Sequence, residues 1–421
     1  MADRNARSLP WLLAAQTQVA FNDNSAKFAL MGLAAFPLIL QPGRVDMTVN
    51  AVAFMLTIAF VLCAPTCGWL ADRYAKRTIM HISLWMQVGI MVFIFLGAAL
   101  QMFSILLMGY FLLAVQSSLF SPAKQGVLKE LVGHERLGVA VGWMQMLTIL
   151  AILAGTLAGG QLFDLFTEWA GNDPWFGNLL SMGLYTLGAI LALLLLQPMV
   201  KTPARMQEPF RWSIVFSHGR QLRDLWAVPD LRLSSFGVAY FYFLGGIFML
   251  TLVQLGRELF GGEVGTAGTA ALMSGALGLG FALGSFSAGF MCRGRIRLSV
   301  AFAGLVAMNP VLIGLFLLTP SSNLFYFTLI LLGIFAAWFL VPMMTFLQDR
   351  ADDAHRGRIL AAANLQTNLV GSAAAVFQLL LNQVFWLRAQ EQFLFMVIPN
   401  ALVLTAFLIV WFRGTVRGDP G

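Results

Sequence analysis

Apolar residues run along this chain in long unbroken stretches, and polar residues gather in the short gaps between them. Each stretch reaches about 20 residues, the length a helix needs to cross the hydrocarbon core of a bilayer. Twelve are marked, at about 11–39, 48–70, 78–100, 104–122, 137–163, 176–198, 232–255, 265–291, 298–318, 324–347, 359–384 and 393–412. They predict an all-α membrane protein, because the strands of a membrane barrel would alternate at every second residue. The widest gap, 199–231, separates a first six-helix bundle (1–198) from a second (232–421). Within it Trp212, Val215, Phe216 and Gly219 sit among Arg211, Arg220 and Arg223, the pattern of an amphipathic helix at a membrane surface.

The two bundles share landmarks. Gly68 and Gly289 are 221 positions apart, as are Gln145 and Gln366, and Pro122 and Pro342 are 220 apart. One common shift predicts two six-helix repeats, with a site between them near the membrane midplane. Gly155 with Gly159, and Gly280 with Gly284, have the spacing that lets two helix backbones approach.

Charge orients the spans. Of the 26 Lys and Arg, 22 fall in the gaps on the side of the N-terminus, among them Arg4, Lys201, Arg205, Arg413 and Arg417. Three (Arg44, Arg257, Arg388) fall on the other side, and Lys27 lies inside a span. By the positive-inside rule both termini are cytoplasmic. The net charge of +7 is therefore loop anchoring, with no nucleic acid implied. Only 11% of residues are charged and 59% are hydrophobic, against about 25% charged in a soluble domain. Cys63, Cys67 and Cys292 make neither a disulfide framework nor a zinc spacing. The first run is too long, and too polar at its middle, for a cleaved signal peptide.

That polar middle is the candidate chemistry. Asn22, Asp23, Asn24 and Lys27 interrupt the first span, and Gln16 stands seven residues before Asp23. Asp23 lies about 18 Å along the helix from Trp11, near the midplane. Asp23 and Lys27 share a face at i, i+4. Two readings stand: a self-neutralising pair that locks helices together, or a substrate pathway, the default for ionisable groups at this depth.

After the second span comes Gly68-Trp69-Leu70-Ala71-Asp72-Arg73-Tyr74-Ala75-Lys76-Arg77. It resembles the loop signature of the major facilitator superfamily, with Ala75 where glycine is usual. In the corresponding gap of the second half, 289–297, the basic residues stay and the aspartate is lost. An aspartate here is placed to meet a helix N-terminus, so Asp72, Arg73 and Arg77 are candidate gating residues, with ordinary positive-inside anchoring as the plain alternative. Three further stretches resemble one branch of that superfamily, the bacterial lysophospholipid transporters. They are Phe21-Asn22-Asp23-Asn24, Ser121-Pro122-Ala123-Lys124-Gln125-Gly126, and Val341-Pro342 with Leu347-Gln348-Asp349-Arg350. Asp349 stands where members commonly have glutamate, and no residue in 233–256 is charged where some have an arginine. Asp349 and Arg350 join the gating candidates.

The resemblance implies a flippase that moves lysophosphatidylethanolamine or a similar lysolipid across a bacterial inner membrane. Re-acylation would follow inside, with a cytoplasmic acyltransferase as partner. The residues suit such a substrate. Lys27 and Lys124 attract phosphate and Asp23 holds ammonium, while Gln145, Asn364, Gln366 and Asn368 offer neutral hydrogen bonds. No metal or cofactor is implied. The competing reading is a proton-coupled exporter of small amphipathic drugs with Asp23 as the protonation site. An acyltransferase is disfavoured: Met86, Val139, Arg223 and Leu360 stand five residues after the four histidines, where an acid is required.

Overall fold

The computed structural model describes residues 7–36, 39, 42–200, 202, 209–260 and 266–412. Arg4, Lys201, Arg205, Arg413 and Arg417 lie outside the described residues. Helices run in the order α1 (Leu9–Ala35), α2 (Pro42–Arg73), α3 (Lys76–Ala99), α4 (Phe103–Trp169), α5 (Pro174–Leu196) and the short α6 (His218–Ala227). Then follow α7 (Pro229–Phe260), α8 (Thr266–Met291), α9 (Leu298–Leu317), α10 (Asn323–Arg350), α11 (Arg356–Gln383), α12 (Ala389–Phe395) and α13 (Val397–Phe412).

Among the described residues ten helices are long and apolar enough to cross a membrane. The difference from twelve has two physical sources. The polar middle of α1 keeps it below the apolar threshold, and α4 carries two passes in one helical run. The predicted fourth and fifth spans were separated by a gap at 123–136. The chain stays helical there and breaks its dihedrals only at Gly133, with φ +73° and ψ −179°. That region of the backbone map is open to glycine almost alone. Lys124, Lys129 and Arg136 are therefore helix residues rather than loop residues. The predicted last span divides into α12 and α13. Pro399 contributes, since it cannot donate to the carbonyl of Phe395 four residues back.

Helix ends follow the local chemistry. Asp173 caps α5, its carboxylate accepting from Trp175 N at 2.9 Å and Phe176 N at 3.4 Å, with Pro174 beginning the helix. Ser322 caps α10 through Phe325 N. The linker is not one amphipathic helix. It forms a 3-10 turn at Trp212–Ile214 and then α6.

The helices form two compact units, Met1–Val132 with Leu150–Gln221 and Asp352–Leu365, and Gly133–Ile149 with Leu222–Ala351 and Gln366–Gly421. In the first, α1 packs on α5 and α3 on α5. Gly155 and Gly159 admit the α1 backbone so closely that Ser25 Oγ donates to Gly155 O at 3.0 Å. In the second, α10 is central, packed on α8, α9 and α7. Gly280 and Gly284 meet the backbone of Ile330 and Ile334.

Candidate functional site

In the first unit a polar cluster surrounds the middle of α1. Asp23 accepts from Gln87 Nε2 on α3 at 2.8 Å and from Ser117 Oγ on α4 at 3.3 Å. Lys124 donates from Nζ to Gln16 Oε1 at 3.0 Å, lies over the Phe120 ring at 5.6 Å, and is close enough to interact with the charge of Asp23. Lys124, from a neighbouring helix, is thus the cation whose charge reaches Asp23, without forming an ion pair with it. Lys27, one turn along from Asp23, is half-buried and lies 5.7 Å from the centre of the Phe28 ring. It has no ion-pair or hydrogen-bond partner among the described residues. Ala26 and Leu30 of the same helix line a small apolar cavity with Tyr110, Leu113 and Met182.

The other polar residues of the stretch turn away. Asn22 is 1% exposed and abuts Gly188 of α5. Asn24 donates to Ala20 O in its own helix. Asn364 joins the first unit through Ser121 and Gln125: its Nδ2 donates to Ser121 Oγ at 3.1 Å, and its Oδ1 accepts from Gln125 Nε2 at 3.3 Å. The remaining neutral candidates lie in the second unit. Gln145 Nε2 approaches Met344 Sδ at 2.7 Å, Gln366 accepts from Trp226 Nε1 at 3.0 Å, and Asn368 lies two residues further along α11.

A second cluster in the first unit gathers at the end of α2. Asp72, 2% exposed, accepts from Gly357 N at 2.5 Å and Arg358 N at 3.0 Å, the opening amides of α11. A free helix N-terminus presents donors and a positive dipole end, so a buried carboxylate is stabilised there. Gly357 is required by the approach, since a Cβ at that position would stand 2.6 Å from the carboxylate oxygen. Lys76 and Glu130 pair at 2.6 Å with side chains 2% and 4% exposed, and Arg356 reaches the same glutamate oxygen at 4.0 Å while also pairing with Asp353. Gly126 leaves room for the stem of Lys76. Arg77 instead donates to Gln197 O at the end of α5, 2.7 Å away. Arg73 is half-buried beside Asp72 in sequence and has no ion-pair partner among the described residues.

The second unit has its own charged end. Asp349 meets His134 Nδ1 at 2.9 Å, and Arg350 meets Asp230 at 3.5 Å while lying over the Phe346 ring at 5.1 Å. Sequence reasoning missed Gln87, Ser117, Glu130, Arg356, His134 and Asp230. For Glu130 a signal existed: an acid among basic residues, six positions after Lys124, in a segment with no helix breaker before Gly133.

Helices of this number and order, with buried charges at mid-span and a carboxylate seated on a helix N-terminus, define a multi-pass membrane transporter. A family model described as Major Facilitator Superfamily matches residues 25–375, and the chain belongs to that family. Among curated relatives, the lysophospholipid transporter LplT of Yersinia pestis (strain Pestoides F) is 27% identical over 372 residues, 86% of this chain and 84% of its own. The LplT of Yersinia pseudotuberculosis serotype I (strain IP32953) matches to the same extent. Solved structures share the fold at lower identity. The fucose transporter FucP in its outward conformation has a TM-score of 0.72 at 12% identity, covering 97% of this chain and 98% of its own. A bacterial homologue of the iron transporter ferroportin, outward-facing, has a TM-score of 0.70 at 14% identity, covering 97% of this chain and all of its own.

Proposed function

We propose that this transporter flips lysophospholipids across a bacterial inner membrane, for re-acylation by a cytoplasmic acyltransferase. The observation that carries the reading is Lys27: a half-buried cation with no anion among the described residues, one turn from a carboxylate and on the helix whose Ala26 and Leu30 line a small apolar cavity. A zwitterionic single-chain lipid complements all three. Its phosphate answers Lys27, its ammonium answers Asp23, and its acyl chain enters past Ala26, Leu30, Tyr110 and Met182. The similarity to LplT supports the same substrate class. Lys124 sets the charge of the Asp23 end, and Asn364, held by Ser121 and Gln125, supports that wall.

In this reading the chain is two six-helix repeats with both termini cytoplasmic. Two parallel contacts favour the repeat. Gly68 and Asp72, at the end of α2, meet the start of α11. Gly289 meets Gly138 and Gly142, and Gly294 N donates to Glu135 O at 2.8 Å, so the end of α8 meets α4 just past its break. Where the aspartate is lost, a backbone bond stands in. Asp72 and Asp349, with Arg73 and Arg350, act as latches on the cytoplasmic side.

Uptake of labelled lipid into spheroplasts tests the substrate. The expected result is uptake of a single-chain phospholipid and poor uptake of its two-chain parent. Equal rates for both, or movement of neither alongside drug efflux, favours the exporter. Single-cysteine labelling tests the orientation. Gly219 and Arg413 are expected to react from the cytoplasm, Asp173 and Glu263 from outside; Glu263 and Arg413 lie outside the described residues, and Lys76, on the cytoplasmic side in the same reading, is too buried to label. Two sites on the wrong side overturn the twelve-pass map.

A further inference from the structure

The linker is fastened to α2 by a bond that a proline makes available. Pro65 lies inside α2 and has no N–H to give the carbonyl four residues earlier, that of Val61. His218 supplies the missing donor: its Nε2 stands 2.6 Å from Val61 O. A carbonyl only accepts, so the imidazole carries its proton on Nε2. Eight residues before His218, the Phe210 ring packs edge-on against Trp69 at 5.2 Å. Eight residues of α2 separate Trp69 from Val61, about 12 Å of helix. The linker therefore runs antiparallel along α2 from Trp69 to Val61.

This strap turns its most apolar side chains outward. Trp212 is 78% exposed and Phe216 82%, and aromatic contacts continue from Trp212 through Phe210 and Trp69 to Tyr74. Arg211 and Arg220 are exposed and have no ion-pair partner among the described residues. No acidic residue occurs in 209–223. Large exposed aromatics interleaved with exposed arginines match one environment: the boundary between anionic headgroups and acyl chains.

We propose that the strap 209–221 is a binding surface for anionic phospholipids in the leaflet that this end of α2 reaches. Arg211 and Arg220 contact headgroup phosphates, Trp212 and Phe216 enter the acyl boundary, and the His218–Val61 bond ties the docked strap to α2 at the carbonyl that Pro65 leaves free. The surface is separate from the substrate cluster around Asp23, and the strap is occupied by bulk membrane lipid rather than by transported lipid.

The test needs no transport. Ser213→Cys, in a background with Cys63→Ala, is labelled with an environment-sensitive fluorophore; Cys67 and Cys292 are buried. The full-length protein is reconstituted into vesicles of phosphatidylcholine, with and without phosphatidylglycerol. The expected result is a blue shift with phosphatidylglycerol that high salt reverses. Arg211→Gln with Arg220→Gln is expected to lower the docking equilibrium about thirtyfold, at the usual contribution of a basic residue near an anionic surface. Arg211→Lys with Arg220→Lys is expected to keep the response, which separates charge from misfolding. The same emission in both vesicle types, or a phosphatidylglycerol response retained by the glutamine variant, overturns the proposal. Because the signal is read without substrate, its failure is distinguishable from failure of the flippase reading.

Discussion

Asp23→Asn combined with Lys27→Gln is expected to yield a folded, membrane-inserted protein whose lysolipid transport falls on the order of a hundredfold. Hydrogen bonds to charged groups are worth about 1.5–3 kcal/mol each, and the double variant removes one at each end of the substrate headgroup. The structure makes the fold's survival more secure than an i, i+4 pair would. Asn at 23 still accepts from Gln87 through Oδ1, and its Nδ2 can donate to the Ser117 hydroxyl. Gln at 27 strands no partner among the described residues, where Lys27 has no ion pair or hydrogen bond. Lys27→Gln alone is expected to hold or raise the thermal midpoint, since it lifts the cost of a cation deep in a span. A structural staple would behave in the opposite way. Transport near wild-type in the double variant, measured at matched expression, would move the site elsewhere.

The second large effect concerns the end of α2. Lys76→Met strips Glu130 of its nearest cation while both stay buried, and breaking such a pair on one side costs about 3–5 kcal/mol. The thermal midpoint should fall clearly, and Lys76→Met with Glu130→Met should recover most of the loss. Asp72→Asn acts differently. It keeps the size of the side chain but turns one acceptor into a donor facing an amide N–H. Lower transport with normal membrane insertion is expected. An unchanged rate would leave Asp72 without a gating role, and failure of the Met pair to recover stability would show the Lys76–Glu130 contact to be incidental.

The passes were legible because a bilayer imposes about 20 apolar residues on each of them, a constraint that no local propensity overrides. Where the polar content of a pass served another purpose, as around Asp23, the pattern still marked the place. The boundary between the fourth and fifth passes was not legible. A gap rich in Lys and Glu reads as loop, yet those residues are good helix formers, and only Gly133 has the backbone freedom to interrupt them. Asp72 was readable as a carboxylate awaiting a helix N-terminus, but the amides of Gly357 and Arg358 that donate to it lie 285 and 286 residues away. That the charge of Lys124 rather than of Lys27 acts on Asp23 has the same origin. Spacing along one helix states which side chains share a face, and is silent on what a neighbouring helix brings to that face.

Asp72 grips main-chain amides, and this has a consequence for how the contact endures under mutation. At position 358 every amino acid except proline carries the same N–H, so drift in that side chain leaves the grip untouched. At position 357 only the smallest residue fits. The information that maintains the contact is thus concentrated in one carboxylate and two facing glycines, Gly68 and Gly357. A chain diverging in most of its other positions would lose this contact late, and by very few routes.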